Sequence, residues 1–256
     1  MRCIALVNQK GGCGKTTTAI NLASFLAEEG RQVLLIDLDP QGHTGLGLGI
    51  DTEDMKRTIY EVLSGEITMT DAVRSVKGNL DLVLSDVVLS AFEQVMSGAP
   101  EREFKLVQSL QGLETRYDYC IIDSPPSVGL LTFNGLTAAS EVIIPVDSSY
   151  YSLHGLGKLL DTIQIIEENA DHRLFIRILA TNVDRRTNFS NGVVETLRSH
   201  FPDRCFETVI HNCTRLREAA SYGKPISEFD IHCNAFSDYR RLAHEILRQE
   251  DSLDKK

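Results

Sequence analysis

Short apolar runs alternate with longer helix-like stretches along nearly the whole chain. The segments "CIALVN" (3–8), "QVLLID" (32–37), "LDLVLS" (80–85), "YCIID" (119–123), "EVIIPVD" (141–147) and "FIRILATNV" (175–183) are mostly apolar at consecutive positions rather than at every second one. That is the pattern of strands covered on both faces. Between them the spacing predicts helices over 15–29, 102–114, 129–139, 152–170, 189–200 and 234–250. A βαβα order predicts an α/β fold with a doubly wound, mainly parallel sheet flanked by helices. Ligands of such sheets sit at the carboxyl ends of the strands. The segment 40–78 has no clear strand; its glycines at 42, 45, 47 and 49 and its helix-like turns predict loops and short helices laid over that face. No repeat, low-complexity tract or linker divides the chain. Residues 1–250 read as one domain and 251–256 as a polar, frayed tail.

Composition narrows the class. A chain of 256 residues, 42% hydrophobic and 24% charged, can bury a full core as an ordinary soluble protein. No apolar run approaches the roughly 18 residues of a membrane span. The first strand runs straight into a glycine-rich loop, without the basic and apolar regions of a signal peptide. Six scattered cysteines with no CxxC spacing suit a reducing, cytoplasmic setting. A net charge of −10 excludes a protein that coats nucleic acid with its whole surface. From 173 to 217, however, eight arginines face four acids, a local excess of +4.

The chemistry concentrates in three motifs. "KGGCGKTT" follows the first strand and opens the first helix, the context of a P-loop, whose backbone N–H groups and helix N-terminus surround phosphates. Gly11, Gly12 and Gly14 let the backbone approach the phosphates. Lys15 would reach the β- and γ-phosphates, Thr16 would hold Mg²⁺ and Thr17 would contact the α-phosphate. The first glycine of GxxxxGK[ST] is replaced by Gln9, and an extra lysine, Lys10, precedes the glycines. Cys13 is either a small buried hydrophobe or, at a helix N-terminus beside two lysines, an oxidisable thiol of lowered pKa. "LLIDLDPQG" places Asp37 and Asp39 at the end of the second strand, and "CIIDSPPS" supplies Asp123, the pattern of a carboxylate that holds Mg²⁺ through water.

"KGGCGKTTTAINLA", "VLLIDLDPQG" and "YDYCIIDSPPS" resemble the deviant Walker A, Walker A′ and Walker B motifs of the ParA/Soj family of partitioning ATPases. The similarity continues through "TNVDRRTNFSNGVVETL" and "RLREAASYGKPISEFD" almost to the C-terminus. The resemblance implies an ATPase, slow without its partner, that dimerises with ATP and then binds double-stranded DNA without sequence preference. A ParB-like protein would stimulate hydrolysis, and the protein would be cytoplasmic and nucleoid-associated. Lys10 would reach across the dimer to the partner's phosphates. Asp39 would orient the attacking water and Asp37 would support the magnesium shell. Asn182 and Pro225 would contact adenine. Arg185, Arg186, Arg215, Arg217 and Lys224 would bind DNA. Where relatives commonly carry an arginine ahead of this helix, "VIHNCTRLRE" has His211, so one phosphate contact is expected to be missing. The alternative is a membrane-cycling ATPase like MinD, a relative in the same superfamily. It would need an amphipathic C-terminal helix, and Phe236, Tyr239, Leu242, Ile246 and Leu247 do share one face of 234–250. The acidic, polar tail argues against membrane binding. No cysteines fall where an iron-protein-like reductase would need cluster ligands.

Overall fold

The computed structural model describes residues 1–50 and 56–253. The first half of the chain runs β1 (Arg2–Leu6), α1 (Lys15–Glu28), β2 (Val33–Asp37), α2 (His43–Gly47), α3 (Ile59–Ser64), α4 (Met69–Ala72), β3 (Arg74–Lys77) and β4 (Leu80–Val83). Then come α5 (Phe92–Val95), α6 (Lys105–Leu110), β5 (Tyr119–Asp123), α7 (Leu130–Ala138) and β6 (Glu141–Asp147). The chain closes with α8 (Tyr150–Ala170), β7 (Phe175–Thr181), α9 (Asn188–His200), α10 (Thr214–Ser221), α11 (Ile226–Phe229) and α12 (Asn234–Leu253).

The strands form one sheet in the order β3-β4-β2-β5-β1-β6-β7. Every pairing is parallel except β3 with β4. This is the doubly wound architecture expected, and the reason is visible in the burial of β2 and β5, both covered at every position. Two apolar layers result. On one face α1 and α12 cover the sheet, with Phe25 packed edge-on against Phe236 at 5.2 Å. On the other lie α3, α6, α7 and α8.

Four expectations need correction. The segment 40–78 holds the short helices foreseen but also β3, an edge strand whose four residues "RSVK" alternate between half-buried and exposed. So short and polar a strand leaves no apolar run to read. The helix expected over 102–114 is a 3-10 turn at Arg102–Phe104 followed by α6, which stops at Leu110 before Gly112 takes a left-handed φ of 85°. Strand β7 ends at Thr181 because Asn182 itself is left-handed, with φ of 52°. Helix α12 continues to Leu253, past the boundary at 250; residues 51–55 of the covering segment and 254–256 of the tail lie outside the described residues.

The apolar face of α12 is spent on the core. Tyr239, Leu242, Ala243 and Ile246 are buried in the layer that contains α1. No helix among the described residues is long and apolar enough to cross a membrane.

Candidate functional site

The carboxyl ends of β2, β5, β1 and β6 lie side by side, so the loops that leave them meet at one place. The loop after β1 is the P-loop. Gly12 and Gly14 hold φ of 75° and 94°, conformations that L side chains rarely adopt. Gly14 caps α1 without any side-chain hydrogen bond, and the first turn contains no acid. The helix N-terminus is thereby left to an anion, favoured by the exposed N–H groups and the helix dipole. Lys15 is buried, its Nζ 3.5 Å from the Lys10 carbonyl, while Thr16 and Thr17 are half-buried beside it. Two residues at the end of β7 brace the loop: Thr181 Oγ1 donates to the Cys13 carbonyl at 2.7 Å, and Asn182 Nδ2 donates to the Gly12 carbonyl at 3.4 Å.

Cys13 resolves in favour of packing. Its side chain is fully buried, and that burial pushes the thiol pKa up despite nearby Lys15. A reactive thiolate would need the opposite shift.

The carboxylates occupy neighbouring strand ends. Asp37 and Asp123 are direct register partners across β2 and β5, and both are buried. Burial drives Asp37 up to about 6, against hydrogen bonds from Thr44 and from the Asp39 backbone. Burial, then the Asp37 charge, raises Asp123 well above the usual carboxylate range, while Thr16 and Lys15 pull it back. Among the described residues, neither oxygen of Asp123 has a well-formed hydrogen-bond partner. An orphaned, buried carboxylate next to a threonine hydroxyl fits a hydrated divalent cation, and magnesium at Thr16 and Asp123 would stabilise negative charge on phosphate oxygens.

Asp37 is engaged differently. Its Oδ2 accepts from Thr44 Oγ1 at 2.5 Å and Thr44 N–H at 3.1 Å, and its Oδ1 accepts from Asp39 N–H at 2.9 Å. It thus ties the start of α2 to the sheet, and Thr44 is a residue that sequence reasoning did not single out. Asp39 is half-buried; its Oδ1 accepts from Gln41 N–H at 3.0 Å.

A pH dependence follows. Carboxyl groups raised in the folded state bind protons that the unfolded chain has released, so they favour folding below about pH 4 and cost stability as pH rises through about 6 and beyond. The metal-free protein is expected to lose melting temperature over that range. Added Mg²⁺ with ATP should recover more of it at pH 8 than at pH 5, as scanning fluorimetry would read.

Lys10 points away from its own loop. Its Nζ donates to Asp147 Oδ1 and Oδ2 at 2.9 and 2.7 Å and to Ser149 Oγ at 2.7 Å. Asp147 ends β6, on the opposite side of β1 from Asp37 and Asp123.

Pro225 stands just before α11. It lines a cavity with Ser24, Ala27 and Glu28, further along α1. Lys224 instead faces a second cavity of about 330 Å³, with Thr16, Thr17, His43 and Leu46, between α1, α2 and α10. The segments that follow α2 and α10 approach closely at two glycines: a Cβ added to Gly223 would stand 2.5 Å from Gly49 Cα.

The arginine excess at 173–217 does not form a single patch. Arg177 is buried against Glu245 and Phe206, and Arg173 and Arg204 line an acidic cavity with Asp161, Glu167 and Asp171 at the far end of the sheet. Arg185, Arg186, Arg215 and Arg217 are exposed near the carboxyl end of β7. Arg186 is paired with Asp184, whose pKa falls to about 2 because of that contact. Arg215 lies over the Phe229 ring and is shared by Asp230 and Glu218.

His211 is a support as well as a departure. Arg185 Nε donates to His211 Nε2 at 2.6 Å, and an arginine can only donate. On the other side of the ring, Nδ1 lies 2.8 Å from a carboxylate oxygen of buried Asp238. His211 holds Arg185 in place.

A glycine-rich loop on a helix N-terminus, with a buried lysine and an orphaned strand-end carboxylate, defines a P-loop nucleotide-binding protein with a second lysine in its loop. An AAA-domain family model matches residues 1–176. Sporulation initiation inhibitor protein Soj of Bacillus subtilis is 40% identical over 247 residues, 96% of this chain and 98% of its own. Chromosome partitioning protein ParA of Caulobacter vibrioides is 39% identical over 254 residues, 98% and 95% of the two chains. The crystal structure of cobyrinic acid a,c-diamide synthase from Mycobacterium smegmatis, with bound ATP analog and magnesium, superposes with a TM-score of 0.85 at 31% identity, covering 98% of this chain and 96% of that one. The chain belongs to the Soj/ParA family of partitioning P-loop ATPases.

Proposed function

We propose that this protein is an ATP-timed DNA-attachment switch. MgATP binds with its phosphates on the P-loop N–H groups and Lys15, with Thr16 and Asp123 around the metal. Two ATP-loaded chains then dimerise, each lending Lys10 to the other's phosphates, where a donated cation offsets the charge that two facing nucleotides bring together. Asp39 orients the water that attacks the γ-phosphate, and hydrolysis, stimulated by a ParB-like partner, ends the dimer. The observation that carries this reading is the pair of lysines in one loop. Lys15 is buried against its own P-loop, while the Lys10 ammonium stands outside it beside β6.

The dimer is proposed to bind double-stranded DNA through Arg185, Arg186, Arg215 and Arg217, with the protein cytoplasmic and nucleoid-associated. Their acid partners weaken the surface within one chain, and dimerisation doubles it. The membrane-cycling alternative has less support, since the apolar face of α12 is already buried. DNA retention in ATP, in ADP and without nucleotide tests the proposal. Retention is expected with ATP alone, and it should weaken steeply with salt. Arg186→Ala with Arg217→Ala should flatten the salt slope by about 0.9 for each phosphate left unneutralised. An unchanged slope would place the DNA on another surface, and ATP-dependent binding to anionic vesicles instead of DNA would favour the membrane reading.

A further inference from the structure

Lys10 is saturated where it stands. Its ammonium has three N–H groups, and four acceptors surround it: both oxygens of Asp147, Ser149 Oγ, and Ser152 Oγ at 3.3 Å. The hydroxyls close the ring, since Ser149 donates to Asp147 at 3.3 Å and Ser152 also donates to the same oxygen, while the two hydroxyls lie 2.9 Å apart. Ser149 and Ser152 belong to the cap and first turn of α8, so the cluster sits at the β6–α8 junction. The backbone is fixed as well. Asn8 Oδ1 accepts from Lys10 N–H at 3.0 Å, and Asn8 Nδ2 donates to the Pro145 carbonyl at 2.6 Å, fastening the start of the P-loop to β6. All four acceptors around the ammonium belong to the β6–α8 junction and none to the P-loop.

We infer that Asp147, assisted by Ser149 and Ser152, is a positioning residue for Lys10 that holds the lysine in cis until a second protomer's triphosphate draws it away. The inference rests on the reading of Lys10 as a cation given in trans. Its physical content is a competition between anions. An ammonium with every N–H occupied can reach a phosphate only by giving up these hydrogen bonds, and two such clusters open for each dimer. A single carboxylate with two hydroxyls competes poorly against the charge of a γ-phosphate, and better against a diphosphate. Asp147 would therefore set how much ATP is needed for dimerisation, and Ser149 and Ser152 would keep its carboxylate hydrogen-bonded after the lysine leaves. Asp147 never touches nucleotide in this scheme; it acts through Lys10.

The test is a titration of dimer mass by light scattering against a non-hydrolysable ATP analogue, for wild type, Asp147→Asn, Asp147→Glu and Lys10→Ala. Asp147→Asn keeps the shape and removes the charge. It is expected to lower the analogue concentration at half-maximal dimer roughly tenfold, a population shift of about 1.4 kcal/mol for each of the two protomers. Asp147→Glu should restore a midpoint near wild type. Lys10→Ala should stay monomeric throughout. If Lys10→Ala dimerises like wild type, the in-trans reading itself fails. If Lys10→Ala is monomeric but Asp147→Asn leaves the midpoint unchanged or raises it, the role of Asp147 alone is overturned. Should Asp147→Asn fail to fold, Ser149→Ala carries the test, with an expected decrease of about threefold and no decrease as the contrary result.

Discussion

Replacing Asp39 by alanine is expected to leave ATP-dependent dimerisation intact while hydrolysis falls by about 10²–10⁴-fold, the range for loss of a positioned acid–base group. Asp39 follows β2 within two residues of Asp37, on the side of the P-loop where Asp123 ends β5. One of its oxygens is held by Gln41 N–H, and among the described residues its other oxygen has no partner in the chain, leaving an acceptor for a water. The side chain holds no part of the P-loop and no part of the Lys10 cluster, so assembly should not depend on it. Single-turnover hydrolysis beside dimer mass separates the two effects. A variant that hydrolyses ATP normally would remove Asp39 from the chemistry, and one that cannot dimerise would make it structural.

The second large effect is at Gly11. Valine there is expected to leave nucleotide-bound monomers and to abolish ATP-dependent dimers, with partner-stimulated hydrolysis abolished alongside. The reason lies in what surrounds the residue within one chain: a Cβ at Gly11 meets nothing within 4 Å, and its backbone is not in the left-handed region. A bulky side chain should therefore fold and bind ATP, and its cost should appear only when a second chain approaches. Gly12 and Gly14 are the contrast, because their positive φ makes any side chain strain the loop itself. Nucleotide affinity by fluorescence and oligomer mass on the same sample decide it. Normal dimers of Gly11→Val would put the contact between protomers elsewhere.

The sheet and the phosphate loop were legible because both are local in sequence. Strands buried on two faces read as unbroken apolar runs, and β5 and β6 fall where "YCIID" and "EVIIPVD" stand. The P-loop needs its glycines, lysine and threonines within a few residues. What escaped is long-range or polar. Strand β3 is four polar-edged residues with one neighbour. The resting partner of Lys10 lies 137 residues away in "VDSSYYS", a stretch with no motif. The arginine count gave a positive segment, yet charge along a chain does not say which acids fold against it. Asp184, Glu218 and Asp230 do so for Arg186 and Arg215, and His211 proved to be a partner of Arg185. Thr44 escaped for the same reason, since only the fold brings its hydroxyl to Asp37.

The most direct measurement is the solution mass of the Asp39→Ala protein by light scattering with MgATP, with MgADP and without nucleotide, each with and without Lys10→Ala. Twice the 28.5 kDa chain mass with MgATP alone, reverting to one chain mass when Lys10 is replaced, is the expected result. A single-chain mass under all three conditions, or an ATP dimer indifferent to Lys10, would contradict it.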